Sequence, residues 1–429
     1  MEGGAGVNNG RRERVRSEKH LRPPIRGRVK FVNSVTNRLA WEMNLPYRNA
    51  RRRRRRSPLW ARWSIGLGAI LLVAGGGSLV AVQAGLAAAT NSVAQQDLLG
   101  STATKKHADI KGAKNILLVG VDQRPNATAT DGTRSDSIMI MHISADHQQA
   151  YLVSIPRDLL VDVPAYNNGK QSFGGGQQKV NSAFFFGSRG LAGNDAMSHG
   201  FDLLTQTVKN LTGITPDAGA IIDFTGFRDV VNVLGKVCMY VDEDTTSIHI
   251  GEDDKTGKKA KPYVINKDGT LKSKIPGVTP WFYSKGNHCL TPNEALDYVR
   301  QRDLLANKDF DYGRQRHQQQ FLKALLQQAV KDGLDSPTKL PGLLSAFGKA
   351  MTVDSGGISL EDWVFAMKAI RPDNLVTLKT NEGKFHPESI AGLGDVETLS
   401  DTSKQMMQAV KADKVGEFAQ SFPAFVANS

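Results

Sequence analysis

Cysteine is almost missing from this 429-residue chain, which contains only Cys238 and Cys289. Two thiols cannot make a disulfide-dense scaffold or a four-cysteine zinc site. They leave two alternatives open: free thiols inside a cell, or one bridge formed in an oxidising compartment. The nine histidines are scattered, with no HExxH motif and no pair of ligands at metal-binding spacing, which argues against a zinc enzyme. A Ser, His and acid set of the nucleophile-elbow type is also lacking, so a triad hydrolase is disfavoured. No internal repeat is evident.

Two further absences are regional. Acidic residues are scarce in residues 1–62, where sixteen Arg and two Lys face four Glu, a surplus of fourteen positive charges. The remainder carries 37 basic and 38 acidic residues, so the net charge of +13 belongs to the tail and the rest is close to neutral. A nucleic-acid-binding domain thereby loses its main support. Charge of either sign is then missing from Trp63 to Gln96. The apolar core of that stretch, Ile65 to Ala89, is longer than the about 20 residues that cross a bilayer. A cleaved secretory signal is the competing reading, since small residues Ala87 to Ala89 follow the run. The more than sixty residues ahead of it weigh for an anchor. Arg51 to Arg56 and Arg62 stand directly before the span and nothing comparable follows, which predicts a cytoplasmic N-terminus. The expected organisation is a basic cytoplasmic tail over 1–62, a single transmembrane helix over 63–89, a polar linker over 90–110 and an extracellular domain over 111–429.

With 40% apolar and 23% charged residues the chain has the composition of a globular protein carrying extra segments. Asn115–Val121, Asp136–Ser144 and Gln149–Ile155 read as strands with short connections, hence as antiparallel neighbours. A meander of this kind gathers Asp122, Arg124, Arg134, Asp136, Arg157 and Asp158 at one sheet edge. Helical patterns follow over Ser198–Leu211, Gly226–Leu234, Pro292–Arg300, Tyr312–Lys331 and Ser359–Ile370, and they alternate with strand-like Ala218–Phe224, Val237–Val241 and Asn374–Lys379. Thr291, Pro292 and Glu294 mark a helix start with a capping box. Residues 251–280 read as a long surface excursion, and 333–429 as completion of one α/β core.

The polar set suits a pyrophosphate. Arginine forks make paired, charge-assisted hydrogen bonds at any working pH, and Arg134, Arg157, Arg300, Arg302, Arg314 and Lys179 supply such a cradle. Asp122 and Asp136 suit a hard divalent cation, Mg²⁺ or Mn²⁺. Each residue alone is more often half of a surface salt bridge; the set points to phosphoryl transfer. Arg314 lies just inside a helix start, where backbone NH groups favour an anion, and Asp311 reads as the cap.

The ordered segments NILLVGVDQR (115–124), RSDSIMIMHI (134–143), VSIPRDLLVDVP (153–164), KVNSAFFFG (179–187), Ala220 to Phe227, LTPNEALDYVRQRD (290–303) and DYGRQRHQQQF (311–321) resemble the LytR-CpsA-Psr family of cell-wall enzymes. The resemblance implies a central mixed β-sheet flanked by helices, with an apolar tunnel for a lipid. It also implies a phosphotransferase that moves a glycopolymer from a polyprenyl-pyrophosphate carrier onto a peptidoglycan acceptor. Carried over by position, Asp122 and Asp136 are metal ligands. Arg134, Arg157, Lys179, Arg302 and Arg314 hold the pyrophosphate, and Asp122 takes the proton of the attacking hydroxyl. Cys238 and Cys289 match the paired cysteines of actinobacterial members. The chain departs from the pattern at His317, where an arginine is usual and Arg316 stands one place earlier. The gap from Arg302 to Asp311 is longer than the pattern, and is expected to form a flexible loop over the site. Phe184 to Phe186 are candidates for the tunnel wall or for plain core.

Overall fold

Along Lys114–Val121 (β2) apolar side chains fill both parities, and the period of two sends them to opposite faces of a sheet. Leu117, Val119 and Val121 enter one core, while Ile116 and Leu118 enter another. The computed structural model describes residues 93–100, 110–122, 132–266, 271–334, 336, 339–367 and 369–427. The basic tail, the transmembrane span and Arg124 lie outside these residues. Among the described residues no helix is long and apolar enough to cross a membrane.

The central sheet has seven strands: Ala94–Gln95 (β1), β2, Ser135–Ile143 (β3), Ala150–Ser154 (β4), Ala218–Asp223 (β5), Thr352–Asp354 (β6) and Leu375–Leu378 (β7). Their spatial order is β1-β6-β5-β2-β3-β4-β7. β2, β3 and β4 form the expected antiparallel meander, with Leu118 opposite Met139 and Met141 opposite Leu152. β5 runs parallel to β2 and β7 parallel to β4, which makes the sheet mixed. The ends of β2, β4 and β5 and the start of β3 therefore emerge along one edge.

Helices cover both faces. Asn181–Ser188 (α1), Gly193–Thr212 (α2) and, near the C-terminus, Asp401–Lys411 and Val415–Ser421 supply Phe184, Phe201, Leu204, Met406 and Phe418 to the first core. Phe224–Leu234 (α3), Pro292–Tyr298 (α4), Phe310–Ala329 (α5) and Leu340–Ala350 (α6) lie on the other side. α3 and α6 approach closely at Gly226, where a Cβ would stand 1.8 Å from the Ala350 carbonyl oxygen. The α4 start is as its sequence indicates. Pro292 occupies the first turn, and the Glu294 carboxylate accepts hydrogen bonds from the Thr291 N–H (2.9 Å) and hydroxyl (2.8 Å).

The structure differs from the sequence reading in three places. The polar stretch before residue 113 is partly built into the domain: Ala94–Gln95 pairs with β6, and Leu98 and Leu99 are fully buried. Val237–Val241 lies outside the central sheet and forms a ribbon with Gly286–Leu290. Residues 251–280 are also largely strand rather than irregular surface. Thr245–Asp253 pairs with Val278–Tyr283 and Lys259–Ala260, and Tyr263–Ile265 pairs with Leu271–Lys274. Lys259–Ala260, Tyr263–Ile265 and Leu271–Lys274 are short and have no buried residue, so they show no alternation.

The ribbon sets Cys238 directly opposite Cys289, and the two are joined by a disulfide across 51 residues of chain. Closing a loop of that length removes denatured-state entropy worth at most about 4 kcal/mol. Replacing both cysteines with serine should lower the melting temperature under oxidising conditions. The same variant should then be insensitive to reductant, which calorimetry with and without reductant would show.

Candidate active site

The sheet edge delivers Asp122 from the end of β2, Asp136 from the start of β3 and Arg157 shortly after β4. α5 brings Arg314 to the same place. The Arg157 guanidinium donates to the Asp136 carboxylate at 2.9 Å and has Asp158 at 3.4 Å and Asp311 at 3.6 Å. Arg314 pairs with Asp311 at 2.8 Å and donates to the Asp136 carbonyl oxygen at 2.7 Å. This ties the first turn of α5 to the first residues of β3.

Burial would strip charge from these groups, yet their mutual field decides otherwise for two of them. Burial alone would raise the Asp311 carboxyl, but Arg314 and Arg157 hold it below the usual carboxylate range. Burial likewise opposes the Arg157 cation, and the carboxylates of Asp311, Asp136 and Asp158 more than offset it. For Arg314, whose side chain is 8% exposed, burial wins and lowers the guanidinium from its ordinary value. The Nε–H groups of Arg157 and Arg314 are buried without a hydrogen-bond partner. The Arg157 Nε still lies at ion-pair distance from Asp158 and Asp311, whereas the Arg314 Nε is a buried donor of the kind that suits an anion's oxygen.

These residues stand at a cavity of about 550 Å³. Its polar wall includes Asp122, Asp136, Arg157, Arg300, Arg302 and Arg314. Its apolar wall comes from the β2 and β3 face bearing Leu118 and Met139, and from Phe227, Val230, Phe321 and Leu325 of α3 and α5. Arg300 lies over the Phe224 ring at 4.3 Å, and Arg302 has Asp303 at 3.5 Å. Two candidates stand beside the cavity wall rather than in it. Arg134 is exposed and lies 5.2 Å over Phe185, while Lys179 pairs with Asp158 at 3.2 Å. Lys179 is thus linked to Arg157 through Asp158. The Phe184–Phe186 cluster is not part of the cavity wall: Phe184 is fully buried in the first core and Phe186 stacks on Phe173 at 4.0 Å.

Several functional roles escaped the sequence. Asp311 is not the α5 cap, a position held by Asp309; its carboxylate lies between two arginines. Arg316 points away from the cavity's arginines and donates to Asp242 (2.6 Å), Glu243 and Asp309. His317 is fully buried, stacks on Tyr298 at 4.3 Å and has Glu243 at 3.3 Å. Asp242, Glu243 and His317 cluster as metal ligands do, but the Arg316 guanidinium already bridges the two carboxylates. The segment after Arg302 is not the flexible loop expected. Leu305 is buried and bridges to Thr245, the Ala306 N–H donates to the Asp244 carbonyl at 3.0 Å, and the Asn307 N–H donates to Glu243 at 2.7 Å. At Gly313 a Cβ would stand 2.4 Å from a terminal methyl carbon of Leu305, so a larger residue would have to displace that side chain.

The class of protein follows from this ordered set of motifs. Residues 80–411 match the LytR_cpsA_psr family, and the chain belongs to that family. It is similar to the regulatory protein MsrR of Staphylococcus aureus, with 28% identity over 267 residues, covering 59% of this chain and 64% of that protein. It is 27% identical over 280 residues to the polyisoprenyl-teichoic acid–peptidoglycan teichoic acid transferase TagT of Bacillus subtilis, covering 64% and 72%. Over 307 residues it is 26% identical to the cell wall biosynthesis protein LcpA of Corynebacterium glutamicum, covering 66% and 52%. The chain thus spans just under two thirds of the length of MsrR. Among solved structures, the protein gbs0355 of Streptococcus agalactiae superposes with a TM-score of 0.51 at 21% identity, covering 71% of this chain and 88% of that one. That likeness concerns the fold alone.

Removing Arg316 should leave Asp242, Glu243 and Asp309 crowded and uncompensated. Arg316→Met is expected to cost about 3–5 kcal/mol of stability, the range for breaking a buried pair by deleting one partner. Denaturant melts of the variant and the wild type would measure it.

Proposed function

We propose that the protein is a membrane-anchored phosphotransferase that attaches a polyprenyl-pyrophosphate-linked glycopolymer to peptidoglycan through a phosphodiester bond, with release of polyprenyl phosphate. The observation that carries this reading is one cavity with two chemistries. Its apolar walls suit an isoprenoid chain, and its rim sets Arg157, Arg302 and Arg314 beside Asp122 and Asp136. The relative named as a teichoic acid transferase supports the reading.

In this mechanism the acceptor hydroxyl oxygen attacks the phosphorus that bears the glycopolymer, and the bond from that phosphorus to the polyprenyl phosphate oxygen breaks. Arg157 and Arg314, both in the cavity wall, place positive charge beside the phosphate oxygens where charge accumulates. Asp122 accepts the hydroxyl proton. Arg134 and Lys179, flanking the cavity, add positive charge at its approach.

The rim's arginines face carboxylates that would repel a pyrophosphate on their own. Asp122 and Asp136 form an all-oxygen donor set without imidazole or thiolate, which fits Mg²⁺ or Mn²⁺. Such an ion, when bound, neutralises phosphate charge and the two aspartates together. The membrane reading places the N-terminus in the cytoplasm and the catalytic domain outside the cell. The charge step across residues 51–96 and the Cys238–Cys289 bond support it.

Full-length protein in detergent, given a lipid-linked glycopolymer and peptidoglycan fragments, should form a covalent glycopolymer–peptidoglycan conjugate. Arg157→Ala should lower turnover by about 10²–10³-fold, the usual effect of deleting one charge-stabilising donor. Chelator should abolish turnover and Mg²⁺ restore it. Release of free glycopolymer despite available acceptor would instead make the enzyme a pyrophosphatase. Full wall attachment by Asp122→Asn and Arg157→Ala would point to a non-catalytic, wall-binding protein.

A further inference from the structure

We propose that a second cavity, of about 240 Å³ and lined in part by Arg228, Lys259, Trp281, Asn293 and Arg300, is a subsite for an anionic sugar residue of the glycan substrates. The proposal rests on the transferase reading above. The two cavities share His249, Leu296 and Arg300 in their walls, so a molecule seated in the second lies directly beside the phosphate-handling rim. Its size is below the roughly 300–1,000 Å³ of drug-sized sites, which suits one sugar unit rather than a lipid.

The wall chemistry selects the ligand. Trp281, on the strand Val278–Tyr283, lines the cavity and keeps 40% of its surface exposed. A flat aromatic face of this kind suits the C–H face of a pyranose. The acidic members of the wall are already engaged. Glu294 caps α4, and the buried Asp297 accepts from Ser247 (3.0 Å), Tyr283 (2.8 Å) and Gln301 (2.8 Å). The rest of the polar wall is mainly cationic and amide, with Arg228 of α3, exposed Lys259 and Asn293, and Arg300. Stacking on Phe224 at 4.3 Å holds the Arg300 plane at the wall common to both cavities. A sugar bearing a carboxylate or phosphate satisfies this set.

Two sources supply such a sugar: the first units of the lipid-linked donor, or a muramic acid of the acceptor strand. Full-length Trp281→Ala, Trp281→Phe and Arg228→Gln should be titrated with three probes. These are polyprenyl pyrophosphate without sugar, the same lipid carrying a phosphorylated disaccharide, and a glucosaminyl-muramic acid disaccharide with a free lactyl carboxylate. Trp281→Ala and Arg228→Gln should weaken one of the sugar-bearing probes by about tenfold, the scale of losing a buried aromatic or arginine anchor, with Trp281→Phe recovering part of it. Binding of the sugar-free lipid should stay at the wild-type value. The probe that weakens identifies the donor or the acceptor as the source. Wild-type affinity of both variants for both sugar probes would overturn the subsite, as would an equal loss on the sugar-free lipid. If the wild type binds the sugar probe through Trp281 yet forms no conjugate, the subsite stands and the transferase reading falls.

Discussion

The carboxylate of Asp311 lies between Arg314 at 2.8 Å and Arg157 at 3.6 Å, and this contact ties together the arginine rim of the cavity. Two like-charged guanidinium groups would otherwise separate in a largely buried setting. One carboxylate within reach of both lowers the cost of keeping them there. The contact also sets topology, because Arg157 follows β4 while Arg314 belongs to α5. A helix more than 150 residues later in the chain is thereby seated on the edge of the meander.

Further contacts keep α5 in place without occupying the rim. Within its buried face, the Gln319 amide donates to Ser154 Oγ and to the Leu378 carbonyl, both at 2.9 Å, and Gln318 accepts from the Ser137 hydroxyl at 2.8 Å. The polar run that looks ill-suited to a buried helix thus satisfies the ends of three strands. In its first turn the Tyr312 hydroxyl donates to Glu397 at 2.8 Å, and Asn381 donates to the same oxygen at 3.0 Å. Asn381 and Glu382 both adopt positive φ, 53° and 56°, at the turn that makes this possible. Backbone strain of that kind persists where surrounding contacts over-determine it.

The apolar cavity has a simple origin. Alternation along β2 and β3 presents Leu118 and Met139 on the side opposite the first core, where they share the cavity wall with Phe227 and Val230 of α3 and Phe321 and Leu325 of α5. Gly226 lets α3 approach α6 closely at Ala350. The proposed lipid chain would cover the surface left open.

Much of this was legible from residue order. The meander, the edge it creates and the helices over Pro292–Tyr298 and Phe310–Ala329 follow from periodicity and capping, which are local. Asp122, Asp136 and Arg157 reach one edge because antiparallel neighbours with short links must return to it. The strands between residues 259 and 274 were not legible, because they are short, have no buried residue and so show no alternation. The roles of Asp311, Arg316 and His317 were not legible either. DYGRQRH reads the same whether a side chain turns toward Arg157 or toward Asp242, and only the distant strand ends decide between them. By itself the sequence determined the family, the mixed α/β domain and the charge step ahead of the apolar span. Tertiary structure alone decided which charges become partners and where the cavity opens, since each depends on contacts between segments far apart in the chain.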